Sequence, residues 1–394
     1  MSGRNGNGLL EYYTEQIEHL LHDENLSEIS VNPDGTVWVE EMGTTHMTKT
    51  DITLTKDDVG NIGRCVAGFS DVTFGEKKPI ATANVPTKEG KARVQVVIPP
   101  ATTGVGSVAI RLLRVKSVDL GAFSFASKKA ALAENNDHSA LEKARAALAA
   151  GTMNFDELAD LAMLSKWNVI IAGGTSSGKT TVLNAMLKRI DPGERIVTIE
   201  EVAELDIEQP NSVDLLADRS EEDGPRSPTK LLESALRLRP DRLVCGEIRG
   251  DDANMFLELV NTGHDGSVCT MHANSPVDAI GRMSKMVRRG SPTVQKSEVV
   301  DDIRATIHMI VHMKKIGDER KVNGVIFPPL MTADQLIRRR NRMKKFEYRN
   351  VMMRVEENAG EKFAKLGQVG WEMVGVVPAE FGIVCFFKRK LTDG

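Results

Sequence analysis

The spacing of apolar and polar positions predicts an α/β region at the start of the chain. Apolar residues recur at helical intervals in LLEYYTEQIEHLLHD, where Ile17 and Leu21 can share one face of a helix. Runs that alternate apolar and polar residues predict strands, with turn signals such as PDG between them: EISVN, TVWVEE, RVQVVIPP and SVAIRLLRV. These elements predict an N-terminal α/β domain over residues 1–115.

The pattern then changes three times along the chain. Residues 116–150 are rich in Ala, Lys, Glu and Ser, which predicts a solvated helical linker. Residues 151–335 read as a second α/β domain. A basic run, RRRNRMKK, precedes a tail over residues 346–394, whose pattern predicts a strand, a helix and two strands in a small α+β domain. The basic run is interpreted as a solvated linker or helix end, with contact to nucleic acid or acidic lipid as the alternative.

The composition is that of a globular protein. With 394 residues, 41% of them hydrophobic, the chain is long enough for two or three domains of ~150 residues. A net charge of -4 gives no overall basic field, and 5% aromatic residues disfavour base stacking, so we expect no sequence-specific nucleic-acid binding. No apolar run approaches the ~18–20 residues of a membrane span, and no signal peptide is visible at the start. We therefore expect a cytoplasmic protein, and we expect any association with a membrane to be peripheral.

The segment VIIAGGTSSGKTTVLNAM carries the clearest candidate chemistry. It fits the phosphate-binding pattern G-x-x-x-x-G-K-[ST], after an apolar strand and before a helix that we expect to begin at Thr181. Backbone N–H groups of such a loop bind phosphate, and Lys179 is expected to reach the β- and γ-phosphates from an exposed position. The hydroxyl of Thr180 is expected to bind Mg²⁺. The motif therefore predicts ATP binding by Gly173, Gly174, Thr175, Ser176, Ser177, Gly178, Lys179, Thr180 and Thr181.

Carboxylates follow two apolar strands after this loop. The strand over residues 196–199 leads to Glu200, Glu201 and Glu204, and the strand RLVCG leads to Glu247. Carboxylates at strand ends beside a phosphate loop can hold Mg²⁺-bound water or activate an attacking water. For Glu200, Glu201 and Glu204, an equally weighted alternative to a catalytic role is the acidic first turn of a helix. For Glu247, the alternative is a salt bridge at the end of a strand. Four arginines lie near Glu247 in the sequence, some to pair with acids and one as a candidate phosphate contact: Arg237, Arg239, Arg242 and Arg249.

Two histidines bracket the short strand SVCTM. His264 and His272 are candidates to sense a γ-phosphate by hydrogen bonding, with a structural role as the alternative. His308 and His312 lie in a predicted strand. We expect no metal site at either pair, because further ligands at suitable spacing are lacking.

In their order and separation, these four motifs resemble those of the type II/type IV secretion ATPase family of P-loop traffic ATPases. The phrases that carry the resemblance are GGTSSGKTT, TIEEVAEL, RPDRLVCGEIRG and TGHDGSVCTMHANSP, together with LSEISVNPDGTVWVEEMG in the N-terminal half. The compact length and the lack of a tetracysteine zinc module resemble the type IV secretion and conjugal transfer branch. The resemblance implies a PAS-like N-terminal domain joined to a RecA-like P-loop ATPase domain.

The resemblance also implies roles for individual residues. Glu204 is similar to the catalytic Asp-box glutamate, with Glu200 beside the metal-bound water, and Glu247 is similar to the Walker B glutamate. The two histidines around SVCTM resemble the His-box pair, in which His272 is the expected γ-phosphate contact and His264 its companion. Arg111 resembles the N-terminal-domain arginine that closes over the nucleotide.

Three features depart from the family pattern. Glu201 stands where the Asp box usually has Asp. Ser176 replaces a more frequent glycine, and we expect this small residue to fit with a negative φ. The tail contains GWEMVGVV and GIVCFFKRK, which resemble a short bacterial domain of unknown function. It has no catalytic constellation, and we interpret it as a packing unit of a strand, a helix and two strands, for which a docking module and a cap on the ring are alternative roles.

The resemblance implies a homo-hexameric ATPase that uses ATP and Mg²⁺. We expect it to power substrate export or pilus biogenesis in a type IV secretion or conjugation system, peripheral at the inner membrane, with inner-membrane components of that apparatus as partners. One alternative is a nucleotide-binding ring scaffold or regulator with little turnover. Another is a type II secretion or type IV pilus motor. A P-loop kinase is disfavoured because the sequence shows no acceptor site or lid.

Overall fold

The computed structural model describes most of the chain in two compact units, the first ending at Leu336 and the second beginning at Ile337. The described residues are 14–88, 90–113, 138–220, 223–250, 252–332, 335, 346–354, 364, 366, 368, 371–379 and 382–390. Among the described residues, no helix combines the length and apolar character that a membrane span requires.

The N-terminal region is built on a six-stranded sheet. Its strands are β1 (Leu26–Val31), β2 (Thr36–Glu41), β3 (Thr48–Thr53), β4 (Ile80–Thr87), β5 (Gly90–Val97) and β6 (Ser107–Leu113). The order is β3-β2-β1-β6-β5-β4, and every neighbouring pair is antiparallel. Side chains alternate between the two faces of each strand, so Ile29, Val94 and Ile110 lie together in a buried core.

Helices cover the apolar face of this sheet. The helix Lys56–Ser70 begins at a capping box, in which Thr55 and Asp58 exchange hydrogen bonds, and buries Ile62 in the core. A 3₁₀ turn (Glu15–Ile17) and a short helix (Glu18–His22) precede β1. They confirm part of the predicted N-terminal helix, and its residues 9–13 lie outside the described chain.

The second region is built on a seven-stranded sheet. Its strands are β7 (Val169–Gly173), β8 (Ile196–Glu200), β9 (Ser212–Leu216), β10 (Arg242–Cys245), β11 (Val268–His272), β12 (Met309–Ile316) and β13 (Glu319–Ile326). The order is β13-β12-β7-β11-β10-β8-β9, in which β13 alone of these strands runs antiparallel to its neighbour. The central strands are fully buried apolar runs, as expected for a parallel sheet covered on both faces. This is the RecA-like arrangement that the family resemblance implies.

Helices connect and cover these strands: Ser139–Ala150, Phe155–Leu164, Lys179–Leu187, Pro228–Arg237, Asp252–Asn261, Pro276–Gly290 and Lys296–Thr306, with a 3₁₀ turn at Pro328–Leu330. The first of them falls in the predicted solvated linker, yet Leu141 and Ala144 are buried in the core beside Leu158 and Trp167. Their spacing places both on one helical face, so this helix packs on the sheet and is not only connecting material. The predicted linker residues 116–137 lie outside the described chain.

Polar contacts join the two regions of the first unit. Arg239 forms an ion pair with Glu40 of β2. Arg195 is completely buried and donates a hydrogen bond of 2.5 Å to Oδ1 of Asn32. Burial lowers the pKa of Arg195 to about 10, which leaves it charged at neutral pH. The hydroxyl of Thr102 donates to a backbone carbonyl of β9 at 2.6 Å, so the N-terminal region contacts the edge of the second sheet.

The second unit contains a three-stranded antiparallel sheet in the order β14-β16-β15. Its strands are β14 (Phe346–Arg354), β15 (Glu372–Ala379) and β16 (Gly382–Lys390). Residues 364, 366 and 368 are helical, and the backbone N–H of Trp371 donates to the carbonyl of Leu366 at 3.0 Å. The order of strand, helix and two strands agrees with the predicted α+β appendage.

Candidate nucleotide-binding site

The phosphate loop joins the end of β7 to the helix Lys179–Leu187. A Cβ atom at Gly173 would clash with Oγ of Ser177 and lie 2.6 Å from the backbone carbonyl oxygen of Met313, so no side chain fits there. Ser177 Oγ donates a hydrogen bond of 2.8 Å to the carbonyl of Gly174. Gly178 precedes the helix with a φ of 93°, a conformation that favours glycine. The loop therefore presents the N-terminus of a helix, where backbone N–H groups bind anions.

Ser176 has a φ of 58°, so the expectation of a negative φ was wrong. The loop between β7 and the helix thus contains two residues with positive φ, Ser176 and Gly178. A non-glycine residue in that conformation costs roughly 1–2 kcal/mol. The cost is small enough for a serine to be accommodated, and it explains why glycine suits the position.

Lys179 is the first residue of the helix and is only 8% exposed. Its Nζ donates a hydrogen bond of 3.0 Å to the carbonyl of Gly174, which folds the side chain back over the loop. The structure thus corrects two expectations, a helix start at Thr181 and an exposed lysine. Burial lowers the pKa of Lys179, while the charge of Glu247 acts in the opposite direction. The ammonium group is held over the backbone that would receive a phosphate.

A cleft of about 190 Å³ opens beside Lys179, and we call it the carboxylate cleft. Its polar lining comes from the phosphate loop and from the ends of the parallel strands: Lys179, Thr180, Glu200, Glu201, Glu204, Arg219, Glu247, Arg249, Asp252 and Thr270. The C-terminal ends of parallel strands meet at one edge of a sheet, and ligands bind there in open α/β folds.

Glu200 is the last residue of β8 and is 7% exposed. Its Oε1 accepts hydrogen bonds from the backbone N–H groups of Glu204, at 3.0 Å, and Leu205, at 3.1 Å. Burial raises the pKa of Glu200 despite these two donors. Glu200 and Thr180, the two predicted metal-binding residues, line the same cleft.

Glu247 lies two residues beyond β10, beside a cation and a histidine. Nε of Arg249 is 2.8 Å from its Oε1, and Nε2 of His272 is 3.2 Å from the same atom. Burial acts to raise the pKa of Glu247, but the hydrogen bond from Arg249 and the nearby positive charges lower it overall. Burial and the charge of Lys179 lower the pKa of His272. At neutral pH the pair is therefore an ionised carboxylate beside a neutral imidazole.

Glu204 lies on the loop after β8, with an exposed side chain that lines the cleft. This loop is attached to the helix of the phosphate motif through Asn184. Nδ2 of Asn184 donates to the carbonyl of Glu204 at 3.2 Å, and its Oδ1 accepts from the N–H of Asp206 at 3.1 Å. Within the described chain, the carboxylate of Glu204 receives no hydrogen bond. It is therefore available to a ligand or to water.

Arg219 and Asp252 belong to the cleft, although the sequence analysis did not single them out. The guanidinium of Arg219 lies 2.8 Å from Oδ2 of Asp252 and 2.7 Å from Oε1 of Glu201, and it donates to the carbonyl of Glu247 at 3.3 Å. Asp252 is almost completely buried. The position of Arg219 could have indicated its place in the site, because it follows the end of a parallel strand, β9, by three residues.

Arg111 and His264 lie outside this lining. Arg111 is directly opposite Glu28 in the β1–β6 pairing, with its Nε 3.2 Å from Oε2 of Glu28. Burial raises the pKa of Glu28 to about 7, although Arg111 acts to lower it. Nδ1 of His264 is 3.2 Å from the carbonyl oxygen of Leu259. The nucleotide contacts of Arg111 and His264 therefore stay predictions.

Of the four arginines expected near Glu247, Arg249 makes an ion pair with it. Arg242 pairs instead with buried Glu194 at 2.8 Å, and Arg239 with Glu40 and Asp241. These arginines serve the core and the contact between the two regions.

The other histidines have structural partners. Nδ1 of His308 accepts a hydrogen bond of 3.0 Å from the backbone of Asn168, and His312 lies 3.2 Å from Nδ2 of Asn323. In the part of the chain that the structure describes, no group of three or more His, Cys, Asp or Glu side chains is arranged to hold a metal.

The loop and the cleft fit a nucleotide with Mg²⁺. The helix N-terminus and Lys179 suit phosphate, while the hydroxyl of Thr180 beside Glu200 offers the oxygen ligands that Mg²⁺ prefers. The cleft volume of about 190 Å³ is below the roughly 300–1,000 Å³ of sites that enclose a whole ligand. The cleft itself therefore suits terminal phosphates and water, and the rest of a nucleotide would extend beyond it.

Comparisons with known proteins agree with this geometry. A sequence model of the family described as "Type II/IV secretion system protein" matches residues 12–319. The chain is 32% identical over 330 residues to the type IV secretion system protein VirB11 of Bartonella henselae, covering 80% of this chain and 92% of that protein. It is 30% identical to the type IV secretion system protein PtlH of Bordetella pertussis, with the same coverage of 80% and 92%. The solved VirB11 ATPase of the Brucella suis type IV secretion system, in complex with sulphate, matches with a TM-score of 0.70 and 25% identity, covering 82% of this chain and 98% of that one.

Proposed function

The chain belongs to the type II/IV secretion system protein family, and from that premise we propose that it hydrolyses ATP to power a type IV secretion or conjugation apparatus. One observation carries this proposal. The phosphate loop and the carboxylates at the ends of β8 and β10 meet at a single cleft, as ATP hydrolysis requires. Its relatives are named as type IV secretion system proteins, so the process that ATP hydrolysis would drive is the export of a substrate or the assembly of a pilus.

The proposed ligands are ATP and Mg²⁺. Lys179 and the N-terminal backbone of its helix would bind the phosphates, while Thr180 and Glu200 would hold the metal, Glu200 through water. Mg²⁺ supplies positive charge that stabilises the transferring phosphoryl group. Lys179 would add a second positive charge at the phosphates. Its ammonium group now donates to the carbonyl of Gly174, and a phosphate oxygen would take the place of that carbonyl as the acceptor.

The carboxylates would position the attacking water. Glu247 has a lowered pKa, so it is ionised and accepts a hydrogen bond from water at neutral pH. His272 lies beside it, and the single N–H of its neutral imidazole can serve either the carboxylate of Glu247 or the terminal phosphate. Glu204 enters the cleft from the loop after β8, and its carboxylate has no partner among the described residues, which supports a role in orienting or deprotonating water.

The proposed assembly and cellular location rest on the resemblance to the family. We propose a homo-hexamer, peripheral at the cytoplasmic face of the inner membrane, that acts with inner-membrane components of the secretion apparatus. In such a ring, movement between the N-terminal region and the P-loop domain would couple hydrolysis to mechanical work.

The test is Mg²⁺-dependent ATP hydrolysis by the purified protein and by Lys179→Ala. Loss of the charged contact to the phosphates should lower kcat on the order of 10³-fold, with no loss of the fold. Lys188→Ala is a matched control, because Lys188 caps the same helix but pairs with Glu208 away from the cleft. A Lys179→Ala protein with more than about a tenth of the wild-type kcat would contradict the assignment, since oriented donors contribute about 10²-fold or more. Wild-type protein that binds ATP without turnover would instead identify a ring scaffold.

A further inference from the structure

A basic hairpin lies alongside the phosphate loop. In the sheet, Met313 of β12 pairs with Gly173, the last residue of β7. The β12–β13 ladder then continues for three more pairs, which end at Ile316 and Glu319. The hairpin therefore extends past the end of β7 and runs beside the loop that follows it. Its two strands carry Lys314, Lys315, Arg320 and Lys321 in this extension.

Arg320 contacts the loop directly. A Cβ atom at Gly178 would lie 2.8 Å from Cδ of Arg320 and 3.4 Å from its Cβ, so the arginine stem packs on this glycine. Arg320 is exposed, and its guanidinium forms no hydrogen bond or ion pair with the residues that the structure describes. The neighbouring Lys321 is different, because it pairs with Glu319 on the opposite face of the strand. An unpaired guanidinium therefore lies beside the N-terminus of the phosphate-loop helix.

The sheet order indicates which part of a nucleotide Arg320 would meet. Glu200, Glu247 and His272 follow β8, β10 and β11, which lie on one side of β7. β12 and β13 lie on the other side of β7. A triphosphate whose terminal phosphate faces the carboxylates must extend across the loop toward the β12 side. Its α-phosphate and nucleoside therefore lie nearest to the hairpin.

We infer that Arg320 is a nucleotide-binding residue that holds the α-phosphate and nucleoside end of the bound nucleotide, an inference that rests on the proposed function. A guanidinium can donate two parallel hydrogen bonds to a phosphate, or stack on a base. This contact lies on the same chain as the phosphate loop, so one subunit would hold both ends of the nucleotide. It lies outside the carboxylate cleft, which is too small for the nucleoside.

The inference is tested by binding of two probes to the full-length protein, ADP and inorganic phosphate, each measured by titration calorimetry with Mg²⁺. The variants are Arg320→Ala, Arg320→Lys and Lys321→Ala. Arg320→Ala should weaken ADP binding on the order of tenfold, because a charge-assisted contact is lost. Inorganic phosphate has a single phosphate for the loop and lacks both the α-phosphate and the nucleoside, so its affinity should stay within about twofold. Arg320→Lys should recover part of the ADP affinity, and Lys321→Ala should bind both probes like the wild type.

Three other outcomes would contradict the inference. ADP affinity unchanged in Arg320→Ala would show that the arginine only packs on Gly178. An equal loss for both probes would show that Arg320 acts on the loop or on the terminal phosphates, not on the nucleoside end. Wild-type protein that binds neither probe would overturn the proposed function, and this inference with it. Thermal denaturation of each variant separates loss of the contact from loss of the fold.

Discussion

The two sheets of the first unit each contain a nearly buried glutamate in different surroundings. Glu28 in the N-terminal sheet is 3% exposed, and Glu200 in the P-loop sheet is 7% exposed. Glu28 lies on a sheet face opposite the exposed Arg111, and burial raises its pKa to about 7. Glu200 lies at a strand end, where two backbone N–H groups donate to it.

Strand direction accounts for this difference. In the parallel sheet, successive strands end at the same edge, so Lys179, Glu200, Glu247 and His272 converge. In the antiparallel sheet, neighbouring strands end at opposite edges, so charged residues are distributed over a face. A carboxylate at a strand end of the parallel sheet is therefore placed for chemistry. Glu28 in the antiparallel sheet affects stability instead, because burial raises its pKa by more than the charge of exposed Arg111 lowers it.

The largest effect that this contrast predicts is in Glu247→Gln. The substitution keeps the shape of the side chain and removes the charge that orients water, so ATP should bind while kcat falls about 10²-fold or more. We expect Glu204→Gln also to bind ATP and to hydrolyse it poorly. The measurements are steady-state hydrolysis and ATP affinity for each variant.

Glu208→Gln is the matched control for both variants. Glu208 is exposed on the loop of Glu204 and pairs with Lys188, so its loss should leave turnover unchanged. If Glu247→Gln and Glu204→Gln both hydrolyse normally, the water must be oriented by other carboxylates, with Glu200 the first candidate.

In the antiparallel sheet, Glu28→Gln should change stability and its dependence on pH. The folded-state pKa of Glu28 is raised from 4.5 to about 7, so between these values the folded protein binds the proton more strongly than the unfolded chain does. Protonated Glu28 therefore stabilises the folded protein at low pH. As the pH rises from 4.5 to about 7, the free energy of unfolding falls by about 3 kcal/mol. Glu28→Gln should remove this fall, so the variant gains stability relative to wild type as the pH rises from 5 to 8.

Denaturant unfolding at several pH values checks this prediction. Glu41→Gln, at the exposed end of β2, should follow the wild-type profile. A Glu28→Gln profile parallel to that of the wild type would show that Glu28 is ionised in the folded protein throughout this range.

The elements around the site were largely predictable, while several contacts were not. The apolar runs of β7, β8 and β10 and the carboxylates that follow them are adjacent in sequence, so local pattern located them. Arg219 reaches Asp252 across 33 positions, and Arg111 meets Glu28 across two strands, so strand pairing decides these contacts. The expectation that Lys179 is exposed was wrong. Its Nζ donates a hydrogen bond to the carbonyl of Gly174, and nothing in the sequence indicates such a contact inside the loop.

A smaller effect is expected in Ser176→Gly. Glycine removes the left-handed strain of roughly 1–2 kcal/mol but makes the unfolded chain more flexible by about 0.4–1 kcal/mol, so the two terms nearly offset each other. The net change in unfolding free energy should be stabilising and below about 1 kcal/mol, with turnover unchanged. Thr175→Gly is the matched control, because Thr175 has no positive φ and glycine there should only destabilise. Destabilisation of equal size in both variants would show that Ser176 is not strained.

The smallest effect is expected from deletion of residues 346–394. All four nucleotide motifs precede Pro276, and the first unit ends at Leu336, so ATP binding and kcat should stay near wild type. A domain of about 45 residues is marginal alone. We therefore expect the tail to pack on the assembly, or to pair with a copy of itself or with a partner.

Hydrolysis, light scattering and secretion in cells together separate these roles for the tail. Unchanged hydrolysis by an intact assembly, with loss of secretion, would identify a docking module. Collapse of the assembly would identify a stabilising cap. A large fall in kcat with the assembly intact would contradict the prediction, because it would mean that the tail acts on the carboxylate cleft. In that case catalysis would depend on the second compact unit as well as on the parallel-strand edge of the first.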